Sequence, residues 1–206
     1  MPNFVDMAAI TDINSLDPNG IYSYADYLKW EFKERVELIK GRLLRLSPAP
    51  GRRHQRIASN LYLPIGQYLK NQKCQAYFAL FDVRLHDSAK KQNIKDHQIF
   101  TVIQPDICVI CDAAKLDEKG CIGAPDWIIE IISPGNSKRE VKNKFRLYEE
   151  NEVPYFWMVF PSEDMLQAFA FIDGKMQLTD IWTEDDVASC PLFPDLIIPL
   201  HEVFQE

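Results

Sequence analysis

Two acidic residues stand at or inside segments that are otherwise apolar. Glu130 lies in the run WIIEII at 127–132, and Asp106 follows Pro105 at the start of the run ICVI at 107–110. Short runs this rich in β-branched residues predict strands that are buried on both faces. A buried carboxylate is costly unless it is paired, protonated or bound to a metal ion. Asp106 and Glu130 are therefore the first candidates for chemistry.

A divalent cation would account for both acids together. If the two predicted strands are neighbours, Asp106 and Glu130 can lie close together on one side of a sheet. Two carboxylates this close cannot both stay ionised in an apolar site unless a cation lies between them. Oxygen ligands on rigid strands suit Mg²⁺ or Mn²⁺. The alternative is an Asp in a loop and a Glu that is satisfied by an arginine or by backbone donors.

The segment after the second strand supplies a basic residue that points inward. Residues 138–150 have the periodicity of an amphipathic helix, whose apolar side carries Val141, Phe145 and Tyr148. Helix geometry turns Lys144 toward this side and Lys142 away from it. Lys144 can therefore reach back toward Glu130. The alternative is a surface ion pair with Glu140, four residues earlier.

A second basic cluster opens another predicted helix. Arg52, Arg53 and Arg56 lie around the start of a helix predicted at about 55–72, with His54 among them. The net charge of −7 argues against a broad basic surface for nucleic acid but allows a local basic groove. The cluster is either such a groove or an ordinary solvated face.

The remaining pattern predicts one α/β (α+β) domain with a mixed central β-sheet flanked by helices. A length of 206 residues is enough for a single domain over 1–206, with residues 1–20 as a loosely structured lead-in. A helix is predicted at 23–32 with Ser23 as its cap, and a hairpin that turns at Lys40-Gly41. Strands are predicted at 76–86, 106–111, 126–132, 155–160, 166–171 and 196–200.

Other features favour the cytoplasm. The N-terminus lacks the basic start of a signal peptide, and no apolar stretch approaches the ~20 residues of a membrane span. Five scattered cysteines predict reduced thiols in a cytosolic protein. Cys108 and Cys111 have C-x-x-C spacing, but residues three apart on a strand face opposite sides, so we expect no shared metal or redox site.

An ordered set of motifs resembles a known family. The set comprises QPD at 104–106, EIISPGNS at 130–137, Lys144 with Tyr148 followed by VPYFWMVFP at 153–161, and VELIKGRLLRLSPAPGRRH at 36–54. It resembles the Uma family of restriction-endonuclease-like proteins (DUF820 type), within the PD-(D/E)XK nuclease superfamily. The resemblance runs from about residue 24 to residue 160 and implies a restriction-endonuclease-like core.

The resemblance also implies site residues. Asp106 and Glu130 would be the metal carboxylates, with Mg²⁺ or Mn²⁺ as the cofactor. The superfamily's lysine lies two positions after the acid, where this chain has Ile132. The resemblance therefore implies that Lys144, on the next helix, has taken over the catalytic role. Glu37 would be an additional catalytic acid.

The implied function is a Mg²⁺-dependent DNA endonuclease that hydrolyses phosphodiester bonds. Candidate substrate contacts are His54, Arg52, Arg53 and Lys138. DNA is the expected partner, a membrane is not, and a homodimer stays open. One alternative is a catalytically inactive nucleic-acid-binding or regulatory module on the same fold. Another is an interaction protein that dimerises through edge strands or through its later aromatic residues, Phe156, Trp157, Phe169, Phe171 and Trp182.

Overall fold

The computed structural model describes residues 9–46, 50–86, 94–133 and 138–205, with only the backbone of Arg139. The described α-helices are α1 (Tyr24–Tyr27), α2 (Arg52–Leu69), α3 (Lys138–Glu150) and α4 (Leu200–Phe204). The described strands are β1 (Val36–Ile39), β2 (Arg42–Arg45), β3 (Gln75–Phe78), β4 (Val83–Leu85), β5 (Thr101–Ile103), β6 (Ile107–Ile110), β7 (Leu116–Asp117), β8 (Gly120–Ile122), β9 (Trp127–Ile131), β10 (Tyr155–Phe160), β11 (Met165–Ile172), β12 (Lys175–Thr183), β13 (Val187–Cys190) and β14 (Phe193–Pro199). Of the predicted lead-in, residues 1–8 lie outside the described residues. None of the described helices is long and apolar enough to cross a bilayer.

The chain divides into two compact units, of which the first comprises Met1–Pro48 and Arg84–Ile103. Its strands follow the order β2-β1-β5-β4. The hairpin of β1 and β2 turns at the predicted place, where Lys40 and Gly41 both have positive φ (51° and 78°). Glycine adopts this conformation without steric cost. Helix α1 follows Ser23 as predicted but is shorter than the predicted 23–32.

The second unit comprises Ala49–Val83 and Gln104–Glu206 and contains a six-stranded sheet in the order β12-β11-β10-β9-β6-β3. Strands β9 and β10 are parallel, and the other neighbours are antiparallel. Parallel neighbours need a crossover connection, and α3 supplies it. The predicted mixed sheet with helices is therefore confirmed. Strands β13 and β14 pair in a separate sheet, and β7 pairs with β8.

The two faces of this sheet pack against different helices. Alternate residues of β9 and β10 join one core cluster with α2: Trp127, Ile129, Trp157, Ile57, Leu61 and Ile65. On the opposite face, the ring of Tyr148 from α3 meets Phe156 edge-on at 4.9 Å between centroids. Phe156 and Trp157 are fully buried. Phe156 and Trp157 are therefore core residues, whereas a dimer through edge strands or through Phe169, Phe171 and Trp182 stays a prediction.

The strand predicted at 76–86 is wrong as a single element. Strand β3 ends at Phe78, the last residue that pairs with β6, and β4 begins at Val83. After Phe78, the N–H of Ala79 donates to the carbonyl of Asp106 at 3.1 Å. Pairing stops there because β6 offers no further strand residue.

Two cysteines form a disulfide, which corrects the expectation of five reduced thiols. The register of β3 and β6 pairs Gln75 with Ile110, so the next pair outward is Cys74 with Cys111. Their Cα atoms are 3.9 Å apart and their sulfurs are bonded. The sequence hides this pairing because 37 positions separate the two residues. The free, buried cysteines are Cys108, Cys121 and Cys190.

Candidate active site

Asp106 and Glu130 occupy facing positions at the end of two neighbouring strands. The antiparallel register pairs Ile107 with Ile129, so the next position outward pairs Asp106 with Glu130. Oδ2 of Asp106 accepts a hydrogen bond of 2.8 Å from the N–H of Ile131. The Asp106 carboxylate therefore lies just before the first residue of β6, beside the peptide group that follows Glu130.

The buried carboxylate of Glu130 is held by two donors from α3. Glu130 is only 4% exposed. Nζ of Lys144 donates to its Oε1 at 2.8 Å, and the hydroxyl of Tyr148 donates to the same oxygen. Lys144 thus points in the direction that the helix phase predicts. Sequence reasoning treated Tyr148 as a packing residue, although its position one turn after Lys144 places the two side chains on one face.

His54 approaches Asp106 from α2. Its Nε2 lies 3.3 Å from Oδ2 of Asp106, and its side chain is only 10% exposed. Its Nδ1 is buried, without a hydrogen-bond partner among the described residues. The sequence suggested His54 as a substrate contact, but the structure places it against a carboxylate. In that position it can fix the orientation of Asp106.

The donor set decides which kind of metal site is possible. In the described part of the chain, no group of three or more His, Cys, Asp or Glu side chains could hold a metal ion. Mg²⁺, however, is commonly held by one or two carboxylates, with waters and substrate phosphate oxygens as the other ligands. None of the described residues donates to Oδ1 of Asp106. The Asp106–Glu130 pair therefore fits an open Mg²⁺ site and does not fit a closed protein cage.

Cys108 lies near Glu130 but is not a candidate ligand. Burial raises the pKa of its thiol well above the usual value, and Cys121 and the Glu130 carboxylate raise the pKa further. A thiol must lose its proton to become a metal ligand or a nucleophile. Cys108 therefore stays protonated at neutral pH and contributes no thiolate to the site.

The other residues suggested by the sequence lie at the start of α2, at the start of α3 or in the other unit. Glu37 is on β1 of the first unit and is 1% exposed, so its catalytic role stays a prediction. Lys138 is exposed at the first position of α3. Arg52 is exposed at the first position of α2, and Arg53 next to it is partly exposed.

Known proteins share both the sequence pattern and the fold. A crystal structure from Anabaena variabilis ATCC 29413, described as "a putative nuclease belonging to DUF820", superposes with a TM-score of 0.66 at 24% identity, over 88% of this chain and 97% of that chain. No curated protein sequence matches the chain. The model of the Uma2 family, described as "Putative restriction endonuclease", matches residues 24–201. Because this match covers most of its length, the chain belongs to the Uma2 family.

Proposed function

We propose that this protein is a Mg²⁺- or Mn²⁺-dependent DNA endonuclease whose site is built on Asp106, Glu130 and Lys144. One observation carries the proposal: facing positions at the ends of β6 and β9 hold two carboxylates, and a lysine ammonium lies 2.8 Å from the buried one. Membership of a family of restriction-endonuclease-like proteins supports phosphodiester hydrolysis as the reaction.

Asp106 and Glu130 would hold the divalent ion. When bound, the ion polarises the phosphodiester and lowers the pKa of the attacking water. The protein contributes fixed ligand positions. The N–H of Ile131 and Nε2 of His54 hold Asp106, while the hydroxyl of Tyr148 holds Glu130. Such partners of metal ligands matter because they orient the ligand before the ion arrives.

Lys144 provides the positive charge at the edge of the site. Its side chain is 20% exposed, whereas that of Glu130 is 5% exposed. The ammonium therefore lies between the buried carboxylate and solvent, on the side from which a substrate must come. A cation in this position offsets the negative charge that develops on the phosphoryl oxygens in the transition state.

A second function is a catalytically inactive nucleic-acid-binding or regulatory module. One observation favours it: Lys144 and Tyr148 both donate to Glu130, as they would to a carboxylate with a purely structural role. Fold alone does not decide between the two functions. In this second function the same contacts stabilise the sheet and no bond is cleaved.

Cleavage of supercoiled plasmid DNA separates the two functions. We expect nicked or linear DNA in the presence of Mg²⁺ or Mn²⁺, and none after addition of EDTA, because the attacking water depends on the metal. Asp106→Asn is the matched control, since it removes one ligand charge and keeps the side-chain shape. Cleavage that survives EDTA or this substitution would contradict the proposed site. A wild-type protein that binds DNA and leaves it intact with both metals would establish the inactive module.

A further inference from the structure

An arginine-lined pocket lies at the start of α2. It encloses about 320 Å³, part of it open to solvent, and its lining consists of Arg52, Arg53, Arg56, Ile57 and Gln205. None of these residues is acidic, and three carry a full positive charge. The planar guanidinium group matches the geometry of phosphate oxygens. The lining therefore suits an anion, and a phosphate group in particular.

The three arginines are held differently. Nη2 of Arg53 lies 2.5 Å from Oδ1 of Asp164, and its Nε donates to the carbonyl of Pro161 at 3.2 Å. Arg53 therefore ties α2 to the turn between β10 and β11. Arg52 and Arg56 are exposed, and neither has a hydrogen bond or ion pair with any described residue. These two side chains are available to a ligand, and the Arg53 side chain is already engaged by the protein.

The position of Arg52 and Arg56 is unfavourable in the isolated protein. They are four residues apart on one side of α2, where like charges repel. The helix dipole disfavours cations in the first turn, yet this turn contains no acidic residue to offset them. The chain has 30 acidic residues against 23 basic ones, so it has an excess of carboxylates, but none lies in this turn. A bound anion would relieve both the repulsion and the unfavourable dipole.

The pocket and the candidate active site share one turn of one helix. His54 lies between Arg52 and Arg56 in the sequence, and it points to the other side of α2, toward Asp106. A ligand in the pocket is therefore about one helix diameter, ~10 Å, from Asp106. A distance of that size is roughly three base-pair rises of 3.4 Å along the axis of a DNA duplex. The pocket is thus placed for a phosphate that flanks the scissile bond and takes no part in its cleavage.

We propose that Arg52 and Arg56 form a phosphate-binding subsite that holds a backbone phosphate of the nucleic-acid substrate. This proposal rests on the proposed function for its substrate, and its chemistry would also accept a free phosphate. Arg53 positions the subsite through Asp164, and Gln205 offers an additional neutral donor. Because the subsite lies away from the reacting atoms, it contributes to substrate binding and leaves the chemical step unchanged.

The test compares wild type with Arg52→Ala/Arg56→Ala and with Lys70→Ala/Lys73→Ala. The second variant removes the same charge from exposed residues at the far end of α2 and just beyond it. Binding of double-stranded DNA is measured with Ca²⁺ in place of Mg²⁺, so that cleavage does not affect the result. We expect the arginine variant to bind roughly 10–100-fold more weakly, with a log–log salt dependence shallower by roughly 0.9, because the subsite neutralises one phosphate. The lysine variant should resemble wild type, and kcat at saturating DNA should be equal in all three proteins.

Binding of inorganic phosphate, measured by calorimetry, identifies the source of the ligand. Equal DNA binding by both variants, with phosphate binding lost only in the arginine variant, would retain the subsite and assign it to a free phosphate. If the arginine variant matches the lysine variant for both ligands, the subsite does not exist. A wild-type protein that shows these binding differences without cleaving DNA would overturn the proposed nuclease and leave the subsite standing.

Discussion

Replacing Glu130 with glutamine is expected to abolish cleavage and leave the protein folded. Glutamine keeps a carbonyl oxygen that can accept from Lys144 and Tyr148, but its neutral amide is a poor ligand for Mg²⁺. Losing the metal removes several kcal/mol of transition-state stabilisation, so the rate should fall at least about a hundredfold. The free energy of unfolding should fall by about 1–3 kcal/mol, because two hydrogen bonds lose their charged acceptor. Plasmid cleavage and urea denaturation measure the two effects separately.

Glu130→Ala is the companion variant. It removes the carboxylate altogether. The ammonium of Lys144 and the buried hydroxyl of Tyr148 then lose the acceptor that they share. Breaking a buried ion pair costs about 3–5 kcal/mol, and the partial exposure of Lys144 should bring the loss to the lower end of that range. Repulsion between Asp106 and Glu130 alone would instead predict stabilisation by either substitution. If glutamine destabilises as much as alanine while cleavage persists, Glu130 is a structural residue.

Replacing Lys144 with alanine is expected to lower the cleavage rate by about 10²–10³-fold, the usual loss for one electrostatic stabiliser of a transition state. Affinity for DNA should change little, because the ammonium faces Glu130. The free energy of unfolding should also fall, since the buried carboxylate loses one of its donors. Single-turnover cleavage is therefore measured at a temperature where urea denaturation shows the variant to be fully folded.

Lys142→Ala is the matched control for Lys144. It removes the same charge from the exposed side of α3, two residues away. This substitution should act at most on DNA affinity, with a shallower salt dependence. If Lys142→Ala and Lys144→Ala cleave DNA at the same rate, Lys144 has no catalytic role. The inactive-module function would then fit the molecule better.

The local sequence pattern was sufficient to predict the strand and the helix that carry Glu130 and Lys144. The apolar, β-branched run around Glu130 predicts β9, and the amphipathic pattern of 138–150 has the bounds of α3. Helix α2 begins three residues before the predicted start at 55, because its N-cap, Gly51, has no capping side chain and the arginines that follow lack the apolar periodicity of a helix. Strand β12 was missed because most of its residues are exposed and polar, and its pairing with β11 specifies it.

Contacts between distant segments could not be predicted in the same way. His54 meets Asp106, and Cys74 meets Cys111, because α2, β3 and β6 come together in the folded sheet. No local periodicity encodes such a meeting. Tyr148 was within reach of sequence reasoning, because its spacing from Lys144 already places both on one face of α3. Its hydroxyl was overlooked because an aromatic residue on an apolar face usually serves packing.

Titration of the metal-free protein with Mn²⁺, followed by the EPR signal of the free ion, tests the central claim most directly. Wild type should show one class of Mn²⁺ sites. Asp106→Asn and Glu130→Gln should each weaken binding by at least about tenfold, since even an outer partner of a metal ligand contributes 10–100-fold. Glu163→Gln, which removes an exposed acid from the turn after β10, should bind as wild type does. Equal Mn²⁺ binding by all four proteins would contradict a metal site at Asp106 and Glu130.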